Sequence, residues 1–167
     1  MDLRGWVRKL LDERESWTPA HFEYGFGLPR IVGQDRDPRS SQEPAVVMDG
    51  ARLRGSIDLV DRDWKRQVLR VTDHKTGRAP ESGRLVVGGG EILQPILYAL
   101  AAEDLLVGDG ERVESGRLFF CTQKGDYQVV EVELNDESRK AAAEVLELTD
   151  SMILHGSFPA FPRQHAC

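Results

Sequence analysis

Cysteine is nearly absent: the 167 residues hold two, Cys121 inside an apolar run and Cys167 at the end, with no Cys-x-x-Cys pair. That excludes a disulfide framework. No run approaches the roughly 18 apolar residues of a membrane span, and the amino-terminal MDLRGWVRKLLDERES lacks the apolar core of a secretory signal. A cytoplasmic protein is expected. Pro (8) and Gly (16) are too sparse for a collagen-like or low-complexity chain. Positive charge is also short, with Lys+Arg 22 against Asp+Glu 28 and a net charge of -6. At face value this argues against a nucleic-acid partner. The deficit is uneven, however: residues 51–84 hold 9 basic and 5 acidic residues, and residues 85–150 hold 5 basic and 14 acidic ones. A local basic surface therefore survives inside an acidic chain. What is plentiful is 40% hydrophobic and 30% charged residues, the balance of one soluble domain.

Leu3, Trp6, Val7, Leu10 and Leu11 recur at i, i+3, i+4, i+7 and i+8, which predicts an amphipathic helix over residues 1–16. Residues 21–27 alternate aromatic with polar or small side chains and read as a strand. Residues 33–44, rich in Asp, Arg, Ser and Pro, read as an exposed loop. The Asp49-Gly50 pair predicts a hairpin between 45–49 and one continuous strand over 52–61. A second turn at Asp63-Trp64-Lys65 leads into a strand over 67–75. Residues 76–90 are loop, and Gly88-Gly89-Gly90 is a link, with no lysine–serine signature behind it for phosphate binding. Residues 91–107 form the longest helical candidate; 113–122 and 127–134 predict a hairpin. Asn135 or Asp136 caps a last helix with Val145, Leu148, Met152 and Ile153 on its apolar side. The order α-β-ββ-β-α-ββ-α gives an α/β (α+β) fold with a central mixed sheet flanked by helices.

One constellation carries chemistry: Gly55-Ser56-Ile57-Asp58 on one strand, Asp73-His74-Lys75-Thr76-Gly77 closing the next, and Gln94-x-x-x-Tyr98 on the helix that follows. Residues i and i+2 of a strand share a face, so Asp73 and Lys75 point together, and Asp58 lies on the neighbouring strand. Two carboxylates and an ammonium thus converge at one sheet edge. Paired carboxylates call for a cation between them, and hard oxygen donors favour Mg²⁺ or Mn²⁺ over zinc. Such an ion lowers the pKa of water and polarises a phosphoryl oxygen. Gln94 and Tyr98 share one helical face. The plainer readings are a solvated hairpin with a surface ion pair for the trio and simple packing for Tyr98.

These pieces, in this order and at this spacing, resemble the RecB-like branch of the PD-(D/E)XK nuclease superfamily, found in helicase–nuclease subunits such as RecB and AddB and in CRISPR-associated RecB-like exonucleases. The resemblance covers roughly residues 20–105, and the pattern continues into Ser157-Phe158-Pro159-Ala160-Phe161-Pro162. It implies a restriction-endonuclease-like core over one domain, 1–167, or a fragment of a longer helicase–nuclease or exonuclease protein. It implies that Asp58 and Asp73 bind Mg²⁺ or Mn²⁺, with the main-chain carbonyl of His74 as a further ligand and Lys75 as the catalytic lysine. Gln94 and Tyr98 correspond to the family's helical motif beside the catalytic centre, and Glu23 to a glutamate on its first strand. For Glu23, a solvent-exposed or arginine-paired acid is the competing reading.

Two features depart from the pattern. Residues 6–11 supply no histidine ahead of the first strand, and His21 lies too close to that strand to replace it. The iron–sulfur cluster of several relatives needs four thiolates, so none is expected in this chain. Cys121 reads as a small buried residue, and His155 and His165 as non-ligands. The function implied is metal-dependent, exonuclease-type hydrolysis of phosphodiester bonds, on single-stranded DNA, in DNA repair and recombination, with a helicase domain or subunit as partner and no membrane. The alternative is a catalytically inactive DNA-binding or scaffold module of the same fold. From another class, a small-molecule-processing α/β domain would carry the Asp-x-Lys pattern by coincidence.

Overall fold

Two segments with period-two hydrophobicity, β4 (Gly55–Asp63) and β5 (Val68–Lys75), are joined by a tight turn. Asp63 organises it: its Oδ1 accepts from the main-chain N–H groups of Lys65 (2.9 Å) and Arg66 (3.1 Å). In the computed structural model, which describes residues 3–29, 33, 35–48, 50–79 and 93–157, this hairpin is the middle of a five-stranded sheet. β1 (Thr18–Phe26) pairs antiparallel with β4, and β6 (Arg112–Phe120) runs parallel to β5. β7 (Val129–Glu133) closes the order β1-β4-β5-β6-β7. The one parallel step needs a crossover, and α2 (Gln94–Leu106) provides it. The sheet is mixed, as expected.

α2 is apolar on nearly all sides, so it has to be covered on both. Leu69, Val71 and Val113 of the sheet meet one side of it in the core, with Ile96, Ala99 and Leu100. A separate ribbon, β2 (Ala45–Val47) with β3 (Ala51–Leu53), adds Ala45 and Val47 to the same core. Here the expected single strand over 52–61 is corrected: it breaks at Arg54, one half joining the ribbon and the other the main sheet. α1 (Leu3–Glu13) lies against the opposite face of the sheet, where Arg70, Thr72 and His74 alternate with the core-facing residues of β5. It packs loosely, leaving Val7 and Leu11 about half exposed.

α3 (Asp136–His155) starts with a reciprocal cap: Asn135 accepts from the Ser138 N–H, and the Ser138 hydroxyl accepts from the Asn135 N–H. Its packed residues are Ala141, Ala142 and Leu146, whereas Leu148 and Ile153, expected on the apolar side, are exposed. The loop over 33–44 also departs from expectation. Asp37 is buried and pairs with buried His21 at 2.9 Å, and the Ser41 N–H donates to Gly25 O. The triple glycine 88–90, the expected helix start at 91–92, the sequence after Ser157 and Cys167 lie outside the described residues. Among the described residues, no helix is long and apolar enough to cross a membrane.

Candidate active site

The β4–β5 ladder runs from Asp63↔Val68 to Leu59↔Thr72 and stops there. Beyond that pair the strands part, and Asp58 fills the gap with its side chain: its Oδ2 accepts from the His74 main-chain N–H at 2.7 Å. The carboxylate thereby takes the place of a missing ladder partner. The convergence thus lies where the two central strands β4 and β5 end.

On β5, Asp73 and Lys75 project together, with Nζ 2.5 Å from Asp73 Oδ2. Asp73 Oδ2 is buried, and the Lys75 ammonium is its charged partner. Gln94, first residue of α2, ties the pair together. Its Nε2 donates to Asp73 Oδ1 (2.6 Å) and to the Tyr98 hydroxyl oxygen (3.2 Å), while its Oε1 accepts from Lys75 Nζ (2.7 Å). A carboxylate only accepts and an ammonium only donates, which fixes the orientation of the amide between them. Tyr98 also packs edge-on against Phe26.

Two glycines make this approach feasible. A Cβ on Gly116 of β6 would fall 2.6 Å from the carbonyl carbon of Pro95, so the first turn of α2 rests directly on the sheet there. A Cβ on Gly55 would stand 3.2 Å from Phe26 Cζ and 3.3 Å from Tyr98 Cε1. Small residues at these positions set how closely Gln94 and Tyr98 come to the carboxylates.

The two aspartates titrate in opposite directions. Burial pushes Asp73 up, the Asp58 carboxylate adds to this, and Lys75 only partly offsets them. Burial acts on Asp58 too, but the hydrogen bonds from His74 outweigh it and hold that carboxyl below its ordinary value. Glu23 stands across from Asp58 on β1, between the pairs Phe22↔Leu59 and Tyr24↔Ile57. Glu23 is exposed, as the competing reading has it, and partial desolvation and the Asp58 carboxylate raise its carboxyl. It adopts φ 50°, an unusual conformation for a side-chain-bearing residue in a strand.

A model of the PD-(D/E)XK nuclease superfamily matches residues 2–167. The chain belongs to this superfamily. No curated protein matches it. Membership makes the chain a nuclease, a hydrolase of phosphodiester bonds and a DNA-binding protein, in a family that generally uses divalent metals such as Mg²⁺. The mixed five-stranded sheet with three helices agrees with the restriction-endonuclease-like core of such nucleases.

The donor set of this nuclease suits a hard cation. Asp58 and Asp73 stand close enough that the Asp58 charge raises the Asp73 carboxyl, and the Lys75 ammonium is the only cation that the structure places on Asp73 among the described residues. Among the described residues, no group of three or more His, Cys, Asp or Glu is arranged to hold a metal. Two carboxylates are hard oxygen donors, which favour Mg²⁺ or Mn²⁺ over zinc. Cys121 is buried, and its main-chain N–H donates to Lys75 O. His155 contacts Ser151 O through Nδ1, far along α3, and His165 lies outside the described residues.

Sequence reasoning missed the layer on the other face of the nuclease sheet. Arg70 and Arg117 are both buried. Arg70 pairs with Asp61 (2.9 Å) and Glu13 (2.8 Å), and Arg117 with Glu13 (2.9 Å), while Arg117 Nε donates to Thr72 Oγ1 (2.7 Å). Glu13 ends α1, so this cluster anchors the helix. The signal available was alternation alone: Arg70, Thr72 and His74 occupy the face opposite Leu69 and Val71.

Proposed function

We propose that the chain is a Mg²⁺- or Mn²⁺-dependent deoxyribonuclease of the RecB-like branch, acting as an exonuclease on single-stranded DNA in repair and recombination beside a helicase domain or subunit. The supporting observation is the Asp73–Gln94–Lys75 linkage with Asp58 at the same strand end. Asp58, Asp73 and the His74 carbonyl would hold the ion, with Glu23 as an additional acid facing Asp58. The ion supplies neutralisation of phosphate charge and a lowered pKa for water.

The remaining roles belong to the protein. Lys75 donates hydrogen bonds to the attacking water and stabilises the charge that grows on the phosphoryl oxygens as the new P–O bond forms and the old one breaks. Gln94 holds the ammonium beside Asp73, and Tyr98 holds Gln94 in turn. Both are positioning residues for the lysine. The His74 N–H fixes the Asp58 carboxylate, so it needs no rearrangement when the ion arrives. Part of the positive charge of residues 51–84 is matched within the protein, Arg70 by Asp61 and Glu13, Arg62 by Glu111 and Arg66 by Glu114, so a larger assembly supplies most of the grip on phosphate.

Exonuclease action is tested by comparing linear with circular single-stranded DNA under Mn²⁺, with Asp73→Ala beside the wild type. Loss of the linear strand alone, abolished by the substitution, supports the proposal. Equal cleavage of circles contradicts the exonuclease assignment. Metal-dependent binding without turnover would leave the non-catalytic module of the same fold as the correct reading.

A further inference from the structure

Between α1 and the face of the sheet it lies against runs a cleft of about 750 Å³. That is within the roughly 300–1,000 Å³ of small-molecule sites. Its lining includes Trp6, Trp17, Phe22 and Leu10 together with Asp58 and His74, and the Arg70 guanidinium lies over the Trp17 ring at 4.2 Å. The cleft therefore shares a wall with the proposed metal site. Phe22, on the same lining, is 60% exposed.

Three residues on this lining carry a buried nitrogen without a hydrogen-bond partner: Trp6 Nε1, His74 Nε2 and Arg70 Nε. Folded proteins leave few such groups, and here three gather around one space. Arg70 is 4% exposed, although its Nη2 is engaged by Asp61 and Glu13. Those nitrogens are covered by the protein itself, so what the cleft offers a ligand is aromatic and apolar surface, which suits a flat aromatic group. An unpaired nucleobase is such a group.

We propose that this cleft receives an unpaired nucleobase of the DNA strand adjacent to the phosphate that is cut. The proposal rests on the nuclease reading of Asp58, Asp73 and Lys75 for where that phosphate lies. It gives the single-strand preference a physical cause. A base in a duplex is stacked and paired and has to be pulled out before it can enter, whereas a free strand offers its bases directly. α1 is the roof of the cleft, and Glu13, itself on the lining, fastens it to Arg70 and Arg117.

The test is binding, measured by fluorescence anisotropy of a labelled 12-nucleotide strand with Ca²⁺ replacing Mg²⁺. A set of strands carries one abasic residue at each successive position. One position is expected to weaken binding by about five- to 150-fold, the worth of one stacked base. Phe22→Ala, a rim change that spares the core, is expected to weaken the intact strand and to leave the strand abasic at that position unaffected. Trp6→Ala should do the same, with its melting curve recorded beside it. The proposal is overturned if every abasic strand binds within about twofold of the intact one, or if both variants weaken intact and abasic strands equally. Cleavage of the same strands in Mg²⁺ is scored separately. A position-specific loss of binding without cleavage supports the cleft and sinks the nuclease reading. Cleavage without any position-specific loss does the reverse.

Discussion

Glu13→Ala removes one of the two carboxylates, Glu13 and Asp61, that pair with both buried arginines. Glu13 sits 2.8 Å from Arg70 and 2.9 Å from Arg117, whose side chains are 5% and 1% exposed. Without it, two guanidinium charges share Asp61, which lies 2.9 Å from Arg70 but 3.6 Å from Arg117. Removing one partner of a fully buried pair costs about 3–5 kcal/mol. Glu13 is about a third exposed, so water screens part of the uncompensated charge, and about 2–3 kcal/mol is expected. For a chain of this length that lowers Tm by roughly 5–10 °C. The pH dependence gives an independent sign. Burial works to raise the Glu13 carboxyl, but Arg117 and Arg70 together outweigh it and hold it below the ordinary range. Its stabilisation is therefore complete above the unfolded value, about pH 4.3, and fades as pH falls through the lower folded value. Thermal melts of wild type and Glu13→Ala at pH 7 and at stepwise lower pH should differ most at neutrality and converge in acid. Equal melting at pH 7, or a gap that is constant with pH, would refute the account of how α1 is held.

Gly116→Ala is expected to cost more than about 3 kcal/mol, or to displace the start of α2, because the new methyl would meet the Pro95 backbone at 2.6 Å with no flexible group to yield. A Tm drop accompanied by loss of cleavage would be the observed result. Glu23→Gly should raise Tm by a few degrees while lowering cleavage, since glycine relieves about 1–2 kcal/mol of strain at φ 50° and removes the acid facing Asp58. Melts and rates on one preparation decide it. Millimolar Mn²⁺ should raise the Tm of the wild type and leave those of Asp58→Ala and Asp73→Ala nearly unmoved, as differential thermal melts with and without EDTA would register.

Local pattern carried much of the fold and of the candidate site. Alternation in 68–75 places Asp73 and Lys75 on one face, helical spacing aligns Gln94 with Tyr98, and the Asn135 cap lies where its chemistry predicts. What local pattern cannot carry is pairing across the chain. Arg117 and Glu13 are 104 residues apart, and a buried arginine looks like a surface one until its partners are known. Asp37 reads as an exposed loop acid, and His21, 16 residues earlier, is the reason it is buried. The break at Arg54 follows from tertiary demand: α2 needs a cover on its second face, and the β2–β3 ribbon supplies one. Leu148 and Ile153 have helical periodicity but meet no neighbouring element among the described residues, where both are exposed. The φ of Glu23 has no sequence signal either, since glutamate rarely adopts it.

The most direct measurement is the rate of Mn²⁺- and Mg²⁺-dependent cleavage of an end-labelled single strand by the wild type and by Lys75→Ala, with melting curves to establish that both are folded. Lys75 is about a third exposed, and its loss leaves Gln94 still bonded to Asp73, so the variant should fold. The account predicts metal-dependent cleavage by the wild type and a loss of about a hundredfold or more in the variant, the scale of losing one group that stabilises the reacting charge. Cleavage by Lys75→Ala at the wild-type rate would contradict it.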